Sequence, residues 1–360
     1  LPPPIDAGSY VIEAIATFSN VPPMKSSPMK AAPLYEGYTS HASPKNLQVT
    51  EILNTTQEQL RPCSLKQLFR EPDTSRWRIT ARNAYQSSFQ QSSIYESYIK
   101  GDGGSGYHAA YERSDCDIPK IDVSKWKRGL KKLCDETHCQ KAVAEIVLIG
   151  DSTMNQMFES IQTVFRDIPL IRILFVSVWG GVIRCFRTGN KTDISSVFDA
   201  SISSSRRVVL WNSGLHEVHR LCGFEFARDR ASYLTEKELK QPCTEVYQKA
   251  LEMLHNATQM IPSAMTVFSL TQASWPKYGT HAMNWSGLRG QHLPLDPGFV
   301  FEFNKIATAF AMAHNVSILQ NGAYAMTLSR PDHRELSKKG GMGKRMAHPG
   351  VDVVSQLTKV

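Results

Sequence analysis

The sequence predicts an α/β fold: a three-layer sandwich with a mainly parallel sheet, preceded by an N-terminal wrapping or cap segment. The first observation is that short apolar runs alternate with segments of helical periodicity from about residue 143 onward. The second is that proline is dense in residues 1–50. The third is the composition of the 360 residues, 41% hydrophobic and 21% charged, which is typical of a globular protein with a large core.

The elements follow in order along the chain. Apolar runs predict strands at 145–149, 171–178, 207–211, 265–270 and 316–319. Helical periodicity predicts helices at 152–165, about 235–259 and 299–314. Strands that alternate with helices form parallel sheets, and such sheets place their sites at the carboxyl ends of the strands.

Three regions are expected. Residues 1–50 are predicted to be a Pro-rich extended arm without regular helix or sheet, and 51–142 a polar cap or minor lobe. Residues 143–360 form the predicted core, in one compact unit with the cap. The "GDGGSG" segment at 101–106 is interpreted as a turn, because no Gly-Lys-Ser/Thr follows it and no apolar strand precedes it.

The stretch "IVLIGDSTMNQMFESI" (146–161) joins the first strand to the first helix. Gly150 is expected to supply a tight turn, and Asp151 and Ser152 to cap the helix. A serine there lies where backbone N–H groups and the helix dipole stabilise negative charge, which suits a nucleophile. The alternative is an ordinary N-cap at a strand–helix junction.

Polar or small residues also follow the other predicted strands. Gly180 and Gly181 follow the second strand, Asn212 the third, and His333 and His348 the last. A serine, glycine N–H groups, an asparagine amide and a late histidine are the groups that acyl transfer requires. Asn212 could instead cap a helix.

Several segments together resemble the SGNH (GDSL-type) hydrolase superfamily, whose blocks carry Ser, Gly, Asn and His in that order. The closer resemblance is to its PC-esterase branch, which includes trichome-birefringence-like polysaccharide O-acetyltransferases. It covers roughly residues 60–360. The segments are "SRWRI" (75–79), "DCDIPKIDVSKWKRGLKKL" (115–133), "WNSGLHEVHR" (211–220), "RPDHRE" (330–335) and "HPGVDVVSQL" (348–357).

This resemblance implies an SGNH-like core with Ser152 as nucleophile and His348 as general base. It implies an oxyanion hole formed by Ser152, Gly180 or Gly181, and Asn212. The family usually ends in Asp-x-x-His, whereas Arg345 stands three residues before His348. Asp332 could supply the acid instead, the site could be a Ser–His dyad, or activity could be low or absent.

A competing assignment pairs Asp332 with His333. The closing His-Pro-Gly block favours His348.

The function expected from the resemblance is O-acetyl transfer to a glycan or polysaccharide through a serine acyl-enzyme. The partners are then a glycan acceptor and an acetyl donor, with no cofactor and no metal. The alternatives are a carbohydrate acetyl esterase and a non-catalytic glycan-binding protein. Zinc binding by His216, His219 and Cys222 is disfavoured, because the sequence has H-E-V-H and not H-E-x-x-H.

Cysteines and sequons indicate the compartment. Seven Cys without a CxxC motif could form three disulfides and leave one thiol, and Cys134 and Cys139 could close a local loop. Chance would give roughly two N-x-[ST] sequons, and there are five: Asn54, Asn190, Asn256, Asn284 and Asn315. We therefore expect the secretory-pathway lumen (Golgi) or secretion, with the cytosol as the alternative.

The chain begins at Leu1 without a leader, which leaves room for a leader or membrane anchor upstream.

The formal net charge is +8, and basic residues concentrate at 125–133 and 337–345. These segments are interpreted as solvated surface, with attraction to an acidic glycan as the alternative. Nucleic acid is not expected as a partner, since no nucleic-acid-binding motif is present. Among the tryptophans that could stack on sugar rings (Trp179, Trp211, Trp275 and Trp285), the last two lie in a polar loop that suits a substrate wall.

Overall fold

The computed structural model of the chain describes residues 8–12, 45–49, 61–64, 66–67, 76–81, 107–112, 116–117, 122–178, 180–188, 194, 197–213, 215–222, 229–271 and 297–319. The strands are β1 (Gly8–Ile12), β2 (Lys45–Val49), β3 (Arg76–Ala81), β4 (Tyr107–Glu112), β5 (Ala144–Gly150), β6 (Ile171–Ser177), β7 (Arg207–Trp211), β8 (Met265–Ser269) and β9 (Ser317–Leu319). The α-helices are α1 (Val123–Thr137), α2 (Ser152–Val164), α3 (Val182–Arg187), α4 (Leu215–Glu217), α5 (Glu236–Leu239), α6 (Cys243–Gln259) and α7 (Pro297–Ala313). A π-helical turn, Val218–Cys222, continues α4, and 3₁₀ turns occur at Ser204–Arg206 and Asp229–Ser232.

The centre of the fold is a five-stranded sheet in the order β6-β5-β7-β8-β9. All four neighbouring pairs in this sheet are parallel. The predicted α/β class with a parallel sheet is therefore confirmed. The chain moves from β5 to one side of the sheet, then returns past β5 and continues on the other side, which is the strand order of doubly wound sheets.

The predicted strands and helices lie within a few residues of the observed ones, with one larger difference. The predicted helix at about 235–259 is two helices, α5 and α6. Pro242 lies between them, because proline cannot donate the backbone hydrogen bond that would continue a helix. A capping box formed by Thr235 and Glu238 fixes the start of α5.

Hydrophobic residues pack on both faces of the sheet. Residues Val147 and Ile149 of β5 belong to one buried cluster with residues of α6 and α7, and Leu148 belongs to the other with residues of α2 and α1. All three side chains have no solvent exposure. Strand β5 is apolar throughout its centre because both of its faces are covered.

Two antiparallel pairs precede this sheet. Strand β1 pairs with β2, and β3 pairs with β4. The prediction that residues 1–50 lack regular sheet is wrong for β1 and β2. The prolines lie outside these two strands, and a proline removes a donor only at its own position.

The structure contains three disulfides: Cys63–Cys116, Cys134–Cys139 and Cys222–Cys243. They leave Cys185 as the cysteine outside a disulfide. The expected count of three bonds and one thiol is confirmed, as is the local pairing of Cys134 with Cys139. Such bonds are typical of a secreted or lumenal protein.

Among the described residues, no helix combines the length and the apolar character that crossing a bilayer requires.

A buried ion-pair network holds the amino ends of three strands. Glu145 of β5 lies between its register partners Arg172 of β6 and Arg207 of β7. Its two carboxylate oxygens accept from Arg172 Nη1 at 2.6 Å and from Arg207 Nε at 2.5 Å. The Arg207 guanidinium also donates to the carbonyls of Asp199 and Pro262. Because these partners satisfy the charges, the network orders the sheet edge opposite to the strand ends that carry Ser152.

Replacing Glu145 with Gln should lower the free energy of unfolding by about 3–5 kcal/mol, because Arg207 would keep a buried charge without its carboxylate. Urea unfolding followed by circular dichroism measures the change. The matched control is Glu136→Gln, which breaks an exposed pair with Lys132 at 3.9 Å and should cost less than about 0.5 kcal/mol. Equal effects in the two variants would contradict this account of the network.

Candidate active site

Three loops meet at the carboxyl edge of the sheet. They follow β5, β6 and β7, which are neighbours in the order β6-β5-β7. The Val178 N–H donates to the Gly150 carbonyl at 2.8 Å, and the Asn212 N–H donates to the Ile149 carbonyl at 2.9 Å. The loops that carry Ser152, Gly180 and Asn212 therefore leave the sheet side by side. In doubly wound sheets ligands bind where the strand order reverses, here between β5 and β7.

The junction at Ser152 is a strand joined directly to a capped helix. Asp151 is the N-cap of α2, and its Oδ1 accepts from the Thr153 N–H at 2.9 Å and from Thr153 Oγ1 at 2.7 Å. Ser152 is thus the first residue of a thirteen-residue helix, and it is half-buried. The positive end of the helix dipole lies at its backbone N–H.

Gly150 is the last residue of β5, and its φ lies outside the left-handed region. A Cβ at Gly150 would lie 2.7 Å from Met154 Cβ. Glycine is required here because the first turn of α2 packs directly on the strand end.

The loop after β6 turns on two glycines in left-handed backbone conformations. Gly180 has φ +96° and Gly181 has φ +95°, values that residues with a Cβ rarely adopt. The Gly181 N–H donates to the Val178 carbonyl at 3.2 Å. Among the described residues the Gly180 N–H has no acceptor. Of the two glycines, Gly180 is therefore the one with an N–H to offer a ligand.

A buried carboxylate joins these loops. Glu217 of α4 is 3% exposed, and its Oε1 accepts a hydrogen bond from the Val182 N–H. A Cβ on Gly181 would lie 2.9 Å from the same oxygen, so the carboxylate also fits against the glycine turn. Glu217 therefore fixes the loop after β6 from the segment that follows β7.

Burial first, and then the negative charge of Asp151, raise the pKa of Glu217, which comes to about 7. The Val182 N–H and the Ser213 hydroxyl act in the opposite direction. A carboxyl group that titrates near neutrality thus lies between the loop that carries Ser152 and the glycine turn.

The loop after β7 is held by its own hydrogen bonds. Asn212 is buried, and its Nδ2 donates to the Ser269 carbonyl at 2.8 Å. An amide nitrogen carries two N–H groups, so this bond leaves a second one for a ligand. The Tyr247 hydroxyl of α6 donates to the Ser213 carbonyl at 2.5 Å.

Beyond β8, Asn304 of α7 pairs with the backbone of Thr271 as a neighbouring strand would. Its Oδ1 accepts from the Thr271 N–H, and its Nδ2 donates to the Thr271 carbonyl, both at 2.9 Å. This pair holds the point at which the chain leaves the sheet after its fourth parallel strand.

Several predicted site residues lie outside the described residues. They are His333, His348, Asp332 and Arg345, the tryptophans Trp179, Trp275 and Trp285, and the sequons at Asn54, Asn190 and Asn284. Of the other sequons, Asn256 is exposed on α6 and Asn315 is exposed just after α7. The structure thus brings Ser152, Gly180, Gly181 and Asn212 to one edge.

Two alternative interpretations of the sequence are wrong: zinc binding that involves Cys222, and sugar stacking on Trp211. Cys222 is bonded to Cys243, so its thiolate is not available to a metal together with His216 and His219. Trp211 has no solvent exposure and packs edge-on against Phe268 with ring centroids 4.6 Å apart, so it cannot stack on a sugar.

Glu217 was not predicted as a site residue from the sequence, since in the segment "HEVHR" (216–220) only the histidines were considered as ligands.

Comparison with protein-family models and with curated proteins found no match for this chain.

Replacing Glu217 with Gln should change how stability depends on pH. The folded state holds the proton more tightly than the unfolded chain, whose ordinary pKa is 4.5. The stabilisation by protonated Glu217 is therefore complete below pH 4.5 and is lost as pH rises through about 7. Between pH 4.5 and about 7 the free energy of unfolding of the native protein should fall by about 3 kcal/mol. The Gln variant has no carboxyl group at this position, so its free energy of unfolding should not show this fall. Urea unfolding of both proteins from pH 4.5 to 8 measures this difference, and parallel curves would refute it.

Replacing Gly181 with Ala should destabilise the fold more than replacing Gly180 with Ala. Both changes strain the backbone by about 1–3 kcal/mol. At Gly181 the new methyl group also meets the Glu217 carboxylate, which the Val182 N–H holds in place. At Gly180 its nearest neighbour is the end of the Arg184 side chain, which can move. Thermal unfolding of the two variants tests this order, and a larger loss at Gly180 would show that the carboxylate is not the constraint.

Proposed function

We propose that the protein is a serine-dependent O-acetyltransferase that acts on a glycan in the secretory-pathway lumen, the Golgi in particular, or after secretion. The observation that carries the proposal is the position of Ser152. It begins α2 at the edge where the strand order reverses, beside the loops that carry Gly180 and Asn212. The resemblance to the PC-esterase branch supports the same assignment.

The proposal includes a finer account of the fold. The sheet and its helices form an SGNH-like three-layer sandwich over 143–360. Residues 51–142 form a cap on this core, and 1–50 a wrapping segment. The glycan acceptor and the acetyl donor then meet at the carboxyl edge of the sheet.

In the proposed reaction, Ser152 Oγ attacks the acetyl carbonyl carbon of the donor, and His348 takes the hydroxyl proton. The Ser152 N–H, the Gly180 N–H and the second N–H of Asn212 Nδ2 stabilise the oxyanion. The carbonyl re-forms, the donor oxygen leaves with the proton from His348, and acetyl remains on Ser152. Asp332 supplies the supporting acid, or the pair acts as a dyad.

A sugar hydroxyl then attacks the acyl-enzyme while His348 takes its proton, and the ester forms as Ser152 Oγ leaves and takes that proton back from His348. Water in place of the sugar hydroxyl gives the esterase reaction, which has the same intermediate. The two outcomes differ only in whether the closed site excludes water.

Ser152→Ala should abolish acylation by 4-nitrophenyl acetate and reduce turnover at least about 1000-fold, because the covalent step needs the hydroxyl. Intact-protein mass spectrometry shows the acetyl adduct, and absorbance at the released phenolate gives the rate. Ser205→Ala is the matched control, since Ser205 is an exposed serine that precedes β7 at the opposite edge of the sheet.

In the same assay His348→Ala should reduce acylation strongly and His333→Ala should leave it within a few-fold of the native rate. The reverse result would assign the base to His333. If the folded native protein forms no adduct, the enzymatic proposal fails and the glycan-binding alternative replaces it. Incubation with an acetyl donor and an oligosaccharide distinguishes transfer from hydrolysis by the acetylated sugar product.

A further inference from the structure

Helix α1 presents a cationic face to solvent. This face consists of five exposed residues: Lys125, Lys127, Arg128, Lys131 and Lys132. Because residues three or four apart share a side of a helix, the five form two adjacent rows. Within the described residues, Lys132 alone among them forms an ion pair, with exposed Glu136 at 3.9 Å, a contact that contributes little in water.

The charges of α1 run opposite to those that stabilise a helix. Apart from the N-cap Asp122, its first turn contains no acidic residue, and its last turn contains no basic one. Cations occupy the earlier turns, and Asp135 and Glu136 lie in the last. The helix dipole favours anions at the amino end and cations at the carboxyl end. The cationic face therefore does not serve the stability of the helix that carries it.

A glycine interrupts the same helix beside the cationic face. A Cβ on Gly129 would have no atom within 4 Å, so no packing contact requires glycine at this position. Glycine inside a helix is destabilising relative to alanine. Trp126 and Lys132 lie three positions to either side, so both border Gly129 on the helix surface. The missing side chain leaves the helix backbone open between the indole and the cations.

Trp126 completes this surface. It is 49% exposed, and it packs edge-on against Phe165 with ring centroids 5.8 Å apart. The contact orients the indole while half of it stays in water. Phe165 follows α2, the thirteen-residue helix that begins with Ser152, so Trp126 marks the end of α2 about 20 Å from that serine.

We propose that the cationic face of α1, together with Gly129 and Trp126, binds an acidic glycan whose sugars carry carboxylate or sulfate groups. Charge complementarity selects a polyanion. The exposed indole favours a polymer of sugar rings, whose apolar faces pack on aromatic side chains. The three disulfides are typical of compartments in which the available polyanions are acidic glycans and not nucleic acids. This inference does not depend on the proposed reaction at Ser152.

Biolayer interferometry of the full chain on immobilised hyaluronate, dextran sulfate and neutral dextran measures binding. Hyaluronate carries carboxylates and dextran sulfate carries sulfates, so the pair distinguishes the two anionic groups. We expect at least one acidic glycan to bind at least about 10-fold more tightly than dextran, and to weaken at least about 10-fold between about 50 and 200 mM NaCl. Equal binding to all three polymers would overturn the proposal.

A triple variant tests the charges: Lys127→Gln, Arg128→Gln and Lys131→Gln. It should weaken binding of the acidic glycan by about 10-fold or more. The matched control makes the same change in net charge at three exposed residues outside α1: Lys237→Gln, Lys240→Gln and Lys305→Gln. The control should bind within about twofold of the native protein. Equal losses would show that net charge, and not this face, attracts the glycan.

Gly129→Leu separates binding from folding. Leucine forms helices better than glycine does, so the thermal midpoint should rise by about 1–3 °C. The same side chain should block the open position and weaken binding of the acidic glycan by about 10-fold or more. Weaker binding by a more stable protein cannot arise from unfolding, and unchanged binding would contradict the proposal.

Trp126→Ala should weaken the acidic glycan about threefold or more and leave poly-glutamate, a polyanion without rings, within about twofold. Equal losses for the two polymers would remove the case for a glycan. Binding to phosphatidylserine vesicles without binding to either acidic glycan would assign the face to a membrane and overturn the proposal. Ser152→Ala should bind like the native protein, so a failure of the proposed reaction leaves this result unchanged.

Discussion

The candidate site depends on one hydrogen bond, from the Val182 N–H to the buried carboxylate of Glu217. The glycine turn after β6 has no side chains of its own to hold it, since both of its glycines lack a Cβ. Its position is set from outside, by a residue on the segment after β7. Asp151, the N-cap of the helix that begins with Ser152, lies close enough for its negative charge to raise the pKa of the same carboxyl group. The hydrogen bond thereby keeps the loops after β6 and β7 in a single arrangement.

Much of the fold could be predicted from the sequence because its strongest signals are local. Strand β5 is a run of apolar residues covered on both faces, and α2 shows its helical period directly after Asp151 and Ser152. Strands β1 and β2 could not be predicted in this way. Each is five residues long, and they pair across a proline-rich stretch, so their stability depends on a contact that no local pattern reveals.

The candidate site was only partly predictable, for a similar reason. Ser152, Gly180 and Asn212 follow strands, and parallel strands end at a common edge, so their grouping could be expected. Glu217 has no such signal, because its role arises when a carboxylate fits under a turn formed by residues far away in the chain. The one hint is the pair of adjacent glycines, which indicates a backbone that something else must support. Disulfide partners are hidden in the same way, apart from the short spacing of Cys134 and Cys139.

The pairing of Asn304 with Thr271 bears on how this protein can diversify. A side-chain amide of α7 here bonds to the residue that follows β8, so the segment 272–296 joins two elements that are tied to each other. Once a loop is closed at its base, doubling its length costs only about 0.6 kcal/mol in chain entropy. Insertions, deletions and exchanges in that segment therefore leave the sheet and α7 nearly unaffected. Related chains could acquire new ligand preferences through this one stretch while the rest of the architecture stays constant.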